Sequence, residues 1–112
     1  WWDENIQRTQ EYYNTMLYRQ GSAPHPLPGW LASDIISRHL TSPSMLCILS
    51  IQDWLATDEA LRLPDADAER INIPATPKHY WRYRMHLNIE DLAADKRFVQ
   101  NITEMISQSG RC

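Results

Sequence analysis

Stretches with helical spacing alternate along the chain with stretches broken by proline. Trp2, Ile6, Tyr13, Met16 and Leu17 recur at helical spacing, with Glu4, Arg8 and Glu11 off that stripe, which predicts a helix over residues 2–19. Asp3 and Glu4 fall near its positive end, where carboxylates are favoured, and Gly21 is a stop signal. Ser22 to Gly29 carries Pro24, Pro26 and Pro28, so it reads as a stiff loop. Residues 30–41 read as a second helix, with Leu31, Ile35 and Ile36 inward and Asp34 and Arg38 outward; Thr41-Ser42-Pro43 ends it.

Met45-Leu46-Cys47-Ile48-Leu49 is an unbroken apolar run. A strand buried on both faces, as in a parallel sheet, has this pattern. Periodicity leaves a buried helical segment open as the alternative, and Pro43 and the scarcity of β-branched residues fit it. Ile51 to Leu55 follows directly. The acidic stretch from Asp58 to Glu69, with Pro64 inside it, reads as a solvated surface segment, and Arg70 to Pro77 as a non-helical connection. Tyr80 to Met85 alternates enough for a short extended piece. The last helix follows, with Asn88 as its cap, Asp91 three residues on, and a Leu87–Leu92 staple. Its stripe is Leu92, Val99, Ile102 and Ile106, and Gly110 ends it.

The expected fold is therefore mainly α with one buried strand. Such a strand needs neighbours on both sides, or its backbone donors and acceptors stay unpaired. The chain offers no second strand of this kind, so the pattern points to sheet partners outside these residues. The opening Trp1-Trp2-Asp3-Glu4 has no initiator Met and no signal-peptide pattern, and reads as the interior of a longer chain.

At 112 residues the chain suffices for one small domain, with no internal boundary, and 43% hydrophobic with 22% charged residues suits a folded chain. No apolar run nears the roughly 20 residues of a membrane-spanning helix, so no membrane partner is expected. The net charge is −3, and the densest basic spot is only Arg82 and Arg84, too little for a nucleic-acid face. Cys47 lies inside the apolar run and Cys112 is the last residue; neither suggests a disulfide framework or a metal site. The expected setting is cytoplasmic, without cofactor or metal. Asn101-Ile102-Thr103 matches the glycosylation pattern and, without a secretory signal, reads as chance.

Five Trp and five Tyr stand against one Phe. A flat apolar face with a polar handle suits stacking on a sugar ring, and equally suits core packing. No phosphate-binding loop, nucleophile elbow or metal-ligand spacing occurs. His25, His39, His79 and His86 are scattered and read as surface or hydrogen-bonding residues rather than ligands or bases. Glycoside chemistry needs two carboxyl groups flanking the scissile bond, and no such pair is evident.

Two places carry candidate contacts. Gln52 and Asp53 follow the apolar run, and residues at the C-terminal ends of barrel strands face the active site. The alternative is that Asp53 caps the turn at Trp54. Arg70-Ile71-Asn72-Ile73-Pro74 and Tyr80-Trp81-Arg82-Tyr83-Arg84 combine an amide, guanidinium groups and aromatic faces around stiff loops. The alternative there has Trp81 and Tyr83 anchored in the core, with Arg82 and Arg84 paired to the acidic stretch.

Ser42-Pro43-Ser44-Met45, Ile51-Gln52-Asp53-Trp54-Leu55, Arg70-Ile71-Asn72-Ile73-Pro74-Ala75 and Tyr80-Trp81-Arg82-Tyr83-Arg84 together resemble the end of the amylomaltases, the 4-α-glucanotransferases or disproportionating enzymes. The wording is closest to Bacteroidetes-type versions. The resemblance is specific from Ser42 to His86, weaker over the first helix and uninformative over the last. It implies the C-terminal part of a (β/α)8 barrel, its last strand and flanking helices, in an enzyme that passes α-1,4-glucan segments between maltooligosaccharides with retention. The family's Asp nucleophile, Glu acid/base and stabilising Asp would lie before Trp1, leaving no catalytic residue here and an inactive fragment. Asn72 matches a substrate-contacting position of the family's Arg-x-Asn-x-Pro pattern, where Ile71 replaces the usual Met, a volume-conserving change. Gln52, Asp53 and Trp81 join Asn72 as expected substrate contacts. The implied partners are α-1,4-glucan and the rest of the barrel; separately, the helix stripes and the two-faced strand need cover, which makes self-association with a second copy of the chain an expected escape. The competing reading is an independent helical interaction module with an aromatic-rich surface.

Overall fold

Asn5 starts the first helix. Its extended backbone and side-chain oxygen, which accepts from Arg8 N, cap α1, Ile6–Thr15. The predicted start at residue 2 is too early. Trp2 is buried, but it lies in a segment folded back over α1: the Thr9 hydroxyl donates to Trp2 O at 2.6 Å, and the Trp2 indole donates to Pro24 O at 2.8 Å. The helix ends four residues before the predicted end, because Tyr18 has φ 53, outside the helical region. The structure, a computed structural model, describes residues 1–111; Cys112 lies outside the described residues.

The proline loop is clamped by one side chain of α1. Gln10 donates to Gly21 O and accepts from Ala23 N, both at 2.8 Å. Helix α2, Gly29–Leu40, then begins close to the predicted place. Pro28 precedes it without a side-chain cap, and Glu59 accepts from the Gly29 N–H at 2.9 Å instead. Glycine is required at that position by space: a Cβ there would lie 2.6 Å from Thr57 O.

Helix α3, Ile51–Leu55, is one turn and a half long, closed by a reciprocal box between Ser50 and Asp53. A 3-10 turn, Ala66–Glu69, lies in the acidic stretch. The predicted last helix is two helices. After α4, Ile89–Ala94, Asp95 takes extended backbone and accepts from Phe98 N, restarting the chain as α5, Lys96–Gln108. Gly110, at φ 75, follows its cap as the left-handed glycine expected there.

Three buried clusters join these elements. Trp2, Tyr13, Leu17, Ala23 and Leu31 pack the N-terminal half. Ile36 and Leu40 of α2 meet Met105 of α5, and Leu55, Leu92 and Phe98 form the third group, with Trp54 packed against both. Each fully buried Leu or Phe contributes about 1.5–3 kcal/mol. Leu31 and Leu55, with no exposed surface, tie α2 and α3 into this scaffold.

The expected buried strand is absent. Among the described residues no strand occurs, so the reading of one buried strand, and with it the last strand of a (β/α)8 barrel, is corrected. Met45 to Leu49 runs without regular structure, and the helical alternative does not hold either. Met45, Leu46 and Ile48 are exposed, while Cys47 and Leu49 pack against the Ile36, Leu40 and Met105 cluster. A ladder needs a second strand to receive its backbone bonds, and the described residues supply none. One side of the run therefore rests on the helices and the other meets water.

Candidate functional site

The polar and aromatic residues singled out between Arg70 and Arg84 lie on the long segment between the 3-10 turn and α4. Arg70, at its start, pairs with Asp67 of the 3-10 turn at 2.8 Å and also reaches Glu4, so the segment is tied back to the N-terminal end. His79 donates to Ile71 O at 3.0 Å, and the Trp81 indole donates to Asn72 Oδ1 at 3.1 Å. These two bonds bring the Arg70–Pro74 and Tyr80–Arg84 stretches alongside one another.

Tyr80 and Trp81 are both more than two-thirds exposed, at 71% and 72%. Large aromatic rings left in water are unusual, since Trp is highly buried on average. The Arg82 guanidinium lies 5.0 Å from the Tyr80 ring centroid, within cation–π range. Trp81 is therefore not a core anchor. The ion pairs of the acidic stretch run through Arg62, Arg70 and Arg97 rather than through Arg82 and Arg84.

Tyr83 differs from its neighbours. It is half-buried, and among the described residues its hydroxyl has no hydrogen-bond partner, as is true of Glu69 Oε1. Burial pushes the Tyr83 phenol above its ordinary value of 10.0, and the Glu69 carboxylate pushes it further the same way.

Gln52 and Asp53 lie elsewhere, in α3. Asp53 is the third residue of a helix, not the residue after a strand, so the strand-end argument for it does not apply. Its carboxylate accepts from Ser50 N at 3.0 Å and from Ser50 Oγ at 2.8 Å, while Ser50 Oγ accepts from Asp53 N at 3.2 Å. Gln52 beside it is half-buried. Among the described residues, no hydrogen bond joins Gln52 or Asp53 to Asn72 or Trp81.

All four histidines are hydrogen-bonded: His25 to Asp3, His39 to Ile35 O, His79 to Ile71 O and His86 to Leu61 O. Among the described residues no group of His, Cys, Asp or Glu is arranged to hold a metal ion, and no helix is long and apolar enough to cross a membrane. The sequence carried no signal for the Arg70–Glu4 pair or for the His79 bond to Ile71 O. Both join positions without a shared motif, the first across 66 residues.

Comparison with known proteins adds a second line. The sequence signature of glycoside hydrolase family 77, 4-alpha-glucanotransferase, matches residues 1–89. The chain is 35% identical over 111 residues to 4-alpha-glucanotransferase DPE2 of Oryza sativa subsp. japonica, covering 99% of this chain. It spans 12% of the length of that relative. No solved structure matches the chain.

Proposed function

Because the chain belongs to the 4-alpha-glucanotransferases of glycoside hydrolase family 77, we propose that it is a glucan-contacting portion of such an enzyme. The reaction proposed for that enzyme is transfer of α-1,4-glucan segments between maltooligosaccharides, with the anomeric configuration retained. The observation that carries the reading is the exposed Trp81 ring bonded to Asn72, with Tyr80 exposed beside it. A glucose ring offers an apolar C–H face and an equator of hydroxyls. An indole or phenol face takes the first, and an amide takes the second.

The Asn72 Oδ1 oxygen is occupied by the indole, which leaves the Asn72 amide N–H groups to donate to a sugar hydroxyl. The bond also fixes the angle between the amide and the Trp81 ring. That preorganises the two groups and lessens the entropy lost when ligand arrives. Gln52 and Asp53 are proposed as further contacts on their amide and carboxylate chemistry. Asp53 would then serve the cap and the ligand together.

The chain by itself is proposed to lack transferase activity. Retaining chemistry places a nucleophile and an acid about 5–5.5 Å apart. Five carboxylates of this chain are held by other groups: Asp34 is paired with Arg19, Asp58 with Arg97, Asp67 and Glu4 with Arg70, and Asp53 is bonded to Ser50.

Two measurements test the reading. Titration with maltoheptaose, followed by tryptophan fluorescence, is expected to show saturable binding that weakens in Trp81→Ala. A flat titration overturns the glucan-contact role. Incubation with maltotriose is expected to leave it unchanged, and release of glucose with longer maltodextrins overturns the assignment of inactivity.

A further inference from the structure

Trp30 is the second residue of α2, next to Leu31, which is fully buried. Trp30 itself is 54% exposed. It does not hang free. The Arg19 guanidinium lies 4.8 Å from the ring centroid, and Asp34 holds Arg19 at 3.4 Å. Trp30 also lines an open groove of about 910 Å³, walled by the 57–60 turn after α3 and by residues 96–104 of α5. Ligand sites occupy about 300–1,000 Å³, so the groove is of binding-site size.

The groove's frame is cross-linked. The Gly29 N–H is held by Glu59 at 2.9 Å, and close contact with Thr57 leaves no room for a side chain there. Asp58, whose side chain is only 11% exposed, pairs with Arg97 of α5 at 2.7 Å. Thr57 Oγ1 donates to Trp54 O at 2.7 Å, and Ala60 N to Asp58 Oδ1 at 3.0 Å. The turn, α2 and α5 are thus fixed to one another by bonds at the groove itself, which spares a ligand the ordering of its own site.

The lining chooses among ligand classes. Lys96 and Arg97 face Asp58, Glu59 and Glu104, so the formal balance is close to neutral, and Arg97 and Asp58 satisfy one another. A phosphate or nucleic-acid site needs a cationic excess, which is missing. An apolar helix or lipid needs an apolar stripe, and the wall from α5 offers Gln100, Asn101 and Glu104 instead. Positions 97, 100, 101 and 104 recur at helical spacing and so share one face. The Gln100 amide donates to Glu104 at 2.8 Å, which presets both. An indole platform opposite a row of amide and carboxylate groups, with little net charge, suits an uncharged polyhydroxylated ligand.

We propose that this groove is a second α-1,4-glucan site, with Trp30 as the stacking platform and Gln100, Asn101 and Glu104 as hydroxyl partners. It shares no residue with the Asn72–Trp81 surface. The choice of glucan among carbohydrates rests on the family reading above; the groove and its neutral polar lining do not. A second site on the same chain would let one glucan, or two segments of it, be held away from the first contact surface and kept at high local concentration there.

The experiment is a titration of the 112-residue chain with maltoheptaose, followed by the indole N–H signals of Trp30 and Trp81 and by the side-chain amide signals of Gln100 and Asn101. The expected result is saturable shifts of the Trp30, Gln100 and Asn101 signals that persist in Trp81→Ala. Trp30→Ala should weaken the response of the two amides roughly 3- to 10-fold, the range expected for losing one ring stack. Gln100→Ala, at an exposed helix position, checks the groove without touching the α2 packing and should weaken the Trp30 response several-fold. If Trp81 shifts while Trp30, Gln100 and Asn101 stay still, the groove assignment is overturned and the glucan reading stands. If no signal moves in the wild-type chain, both are overturned. A response to inorganic phosphate at the same amides as strong as that to maltoheptaose overturns the assignment to an uncharged ligand.

Discussion

The indole N–H of Trp81 donates to Asn72 Oδ1 at 3.1 Å while both side chains remain exposed. Water competes for such a bond, so its contribution to folding is small, and its main effect is to fix a ring beside an amide. That separation of folding from recognition gives the first prediction. Asn72→Ala should weaken maltoheptaose binding by about 1 kcal/mol, or roughly fivefold. Its unfolding free energy should stay within about 0.5 kcal/mol of wild type, as for exposed positions generally. Calorimetric titration and thermal unfolding measure the two. A marked fall in melting temperature with unchanged binding would make the pair a loop anchor and nothing more.

Asp53 should behave in the opposite way. Asp53→Ala removes the Asp53 half of the box that opens α3 and is expected to destabilise the chain by about 0.5–2 kcal/mol. Gln52→Ala, beside it and outside the box, should be close to neutral. Urea unfolding of the two variants decides this. Equal stability for both would remove the cap as the main role of Asp53.

Leu31 and Ile48 provide a contrast in burial. Leu31→Ala should lose about 2–5 kcal/mol, since the side chain has no exposed surface and its cluster cannot collapse freely around the gap. Ile48→Ala should change stability by no more than about 0.5 kcal/mol, because Ile48 is 90% exposed. A loss of several kcal/mol at Ile48 would contradict the irregular, exposed course of residues 45–49.

Tyr83 gives a pH dependence with a definite sign. Its folded-state pKa is raised above the ordinary 10.0, so the folded chain holds the proton where the unfolded chain has released it. Stability is therefore undiminished below about pH 10 and falls as pH rises through and beyond that value. Tyr83→Phe should flatten this alkaline fall, as read by chemical unfolding at pH 9, 10 and 11. An identical alkaline slope in wild type and variant would assign the fall to other groups.

Particular residues show where sequence pattern carried far and where it stopped. Helix α2 was legible because its proline-rich entry and its apolar face agree on one element. The family and the aromatic–amide composition near Asn72 were legible too, but the bond that joins Asn72 to Trp81 was not, since hydrogen bonds across a loop leave no periodicity. Asp95 was missed because Leu92 and Ile102 fit one continuous stripe, although Asp95 followed by Phe98 marks a new helix start. Phe98 was left out of the core for the same reason, while Val99, placed on the stripe, is exposed. Trp2 satisfied the apolar spacing of α1 without belonging to it, because a segment folded back over a helix can bury the same ring. The Met45–Leu49 run misled most. Uninterrupted apolar residues imply burial somewhere, and the pattern alone does not reveal whether the described residues can supply both faces.

The segment that carries Asn72 and Trp81 has one more consequence. Between Ile71 and Asn88 the backbone N–H groups bonded to other backbone are those of Thr76, to Ile73, and His79, to Thr76. Its shape rests on side chains, chiefly Trp81 with Asn72 and His79 with Ile71. Most of its amides should therefore exchange with deuterated water long before those of α2 or α5, where each turn protects the next. Ligand bound across Asn72 and Trp81 would slow that exchange, and the free energy used to quiet the segment is subtracted from the affinity. If glucan binds there as proposed, its affinity depends on how far the loop is already still as well as on the hydroxyls it presents.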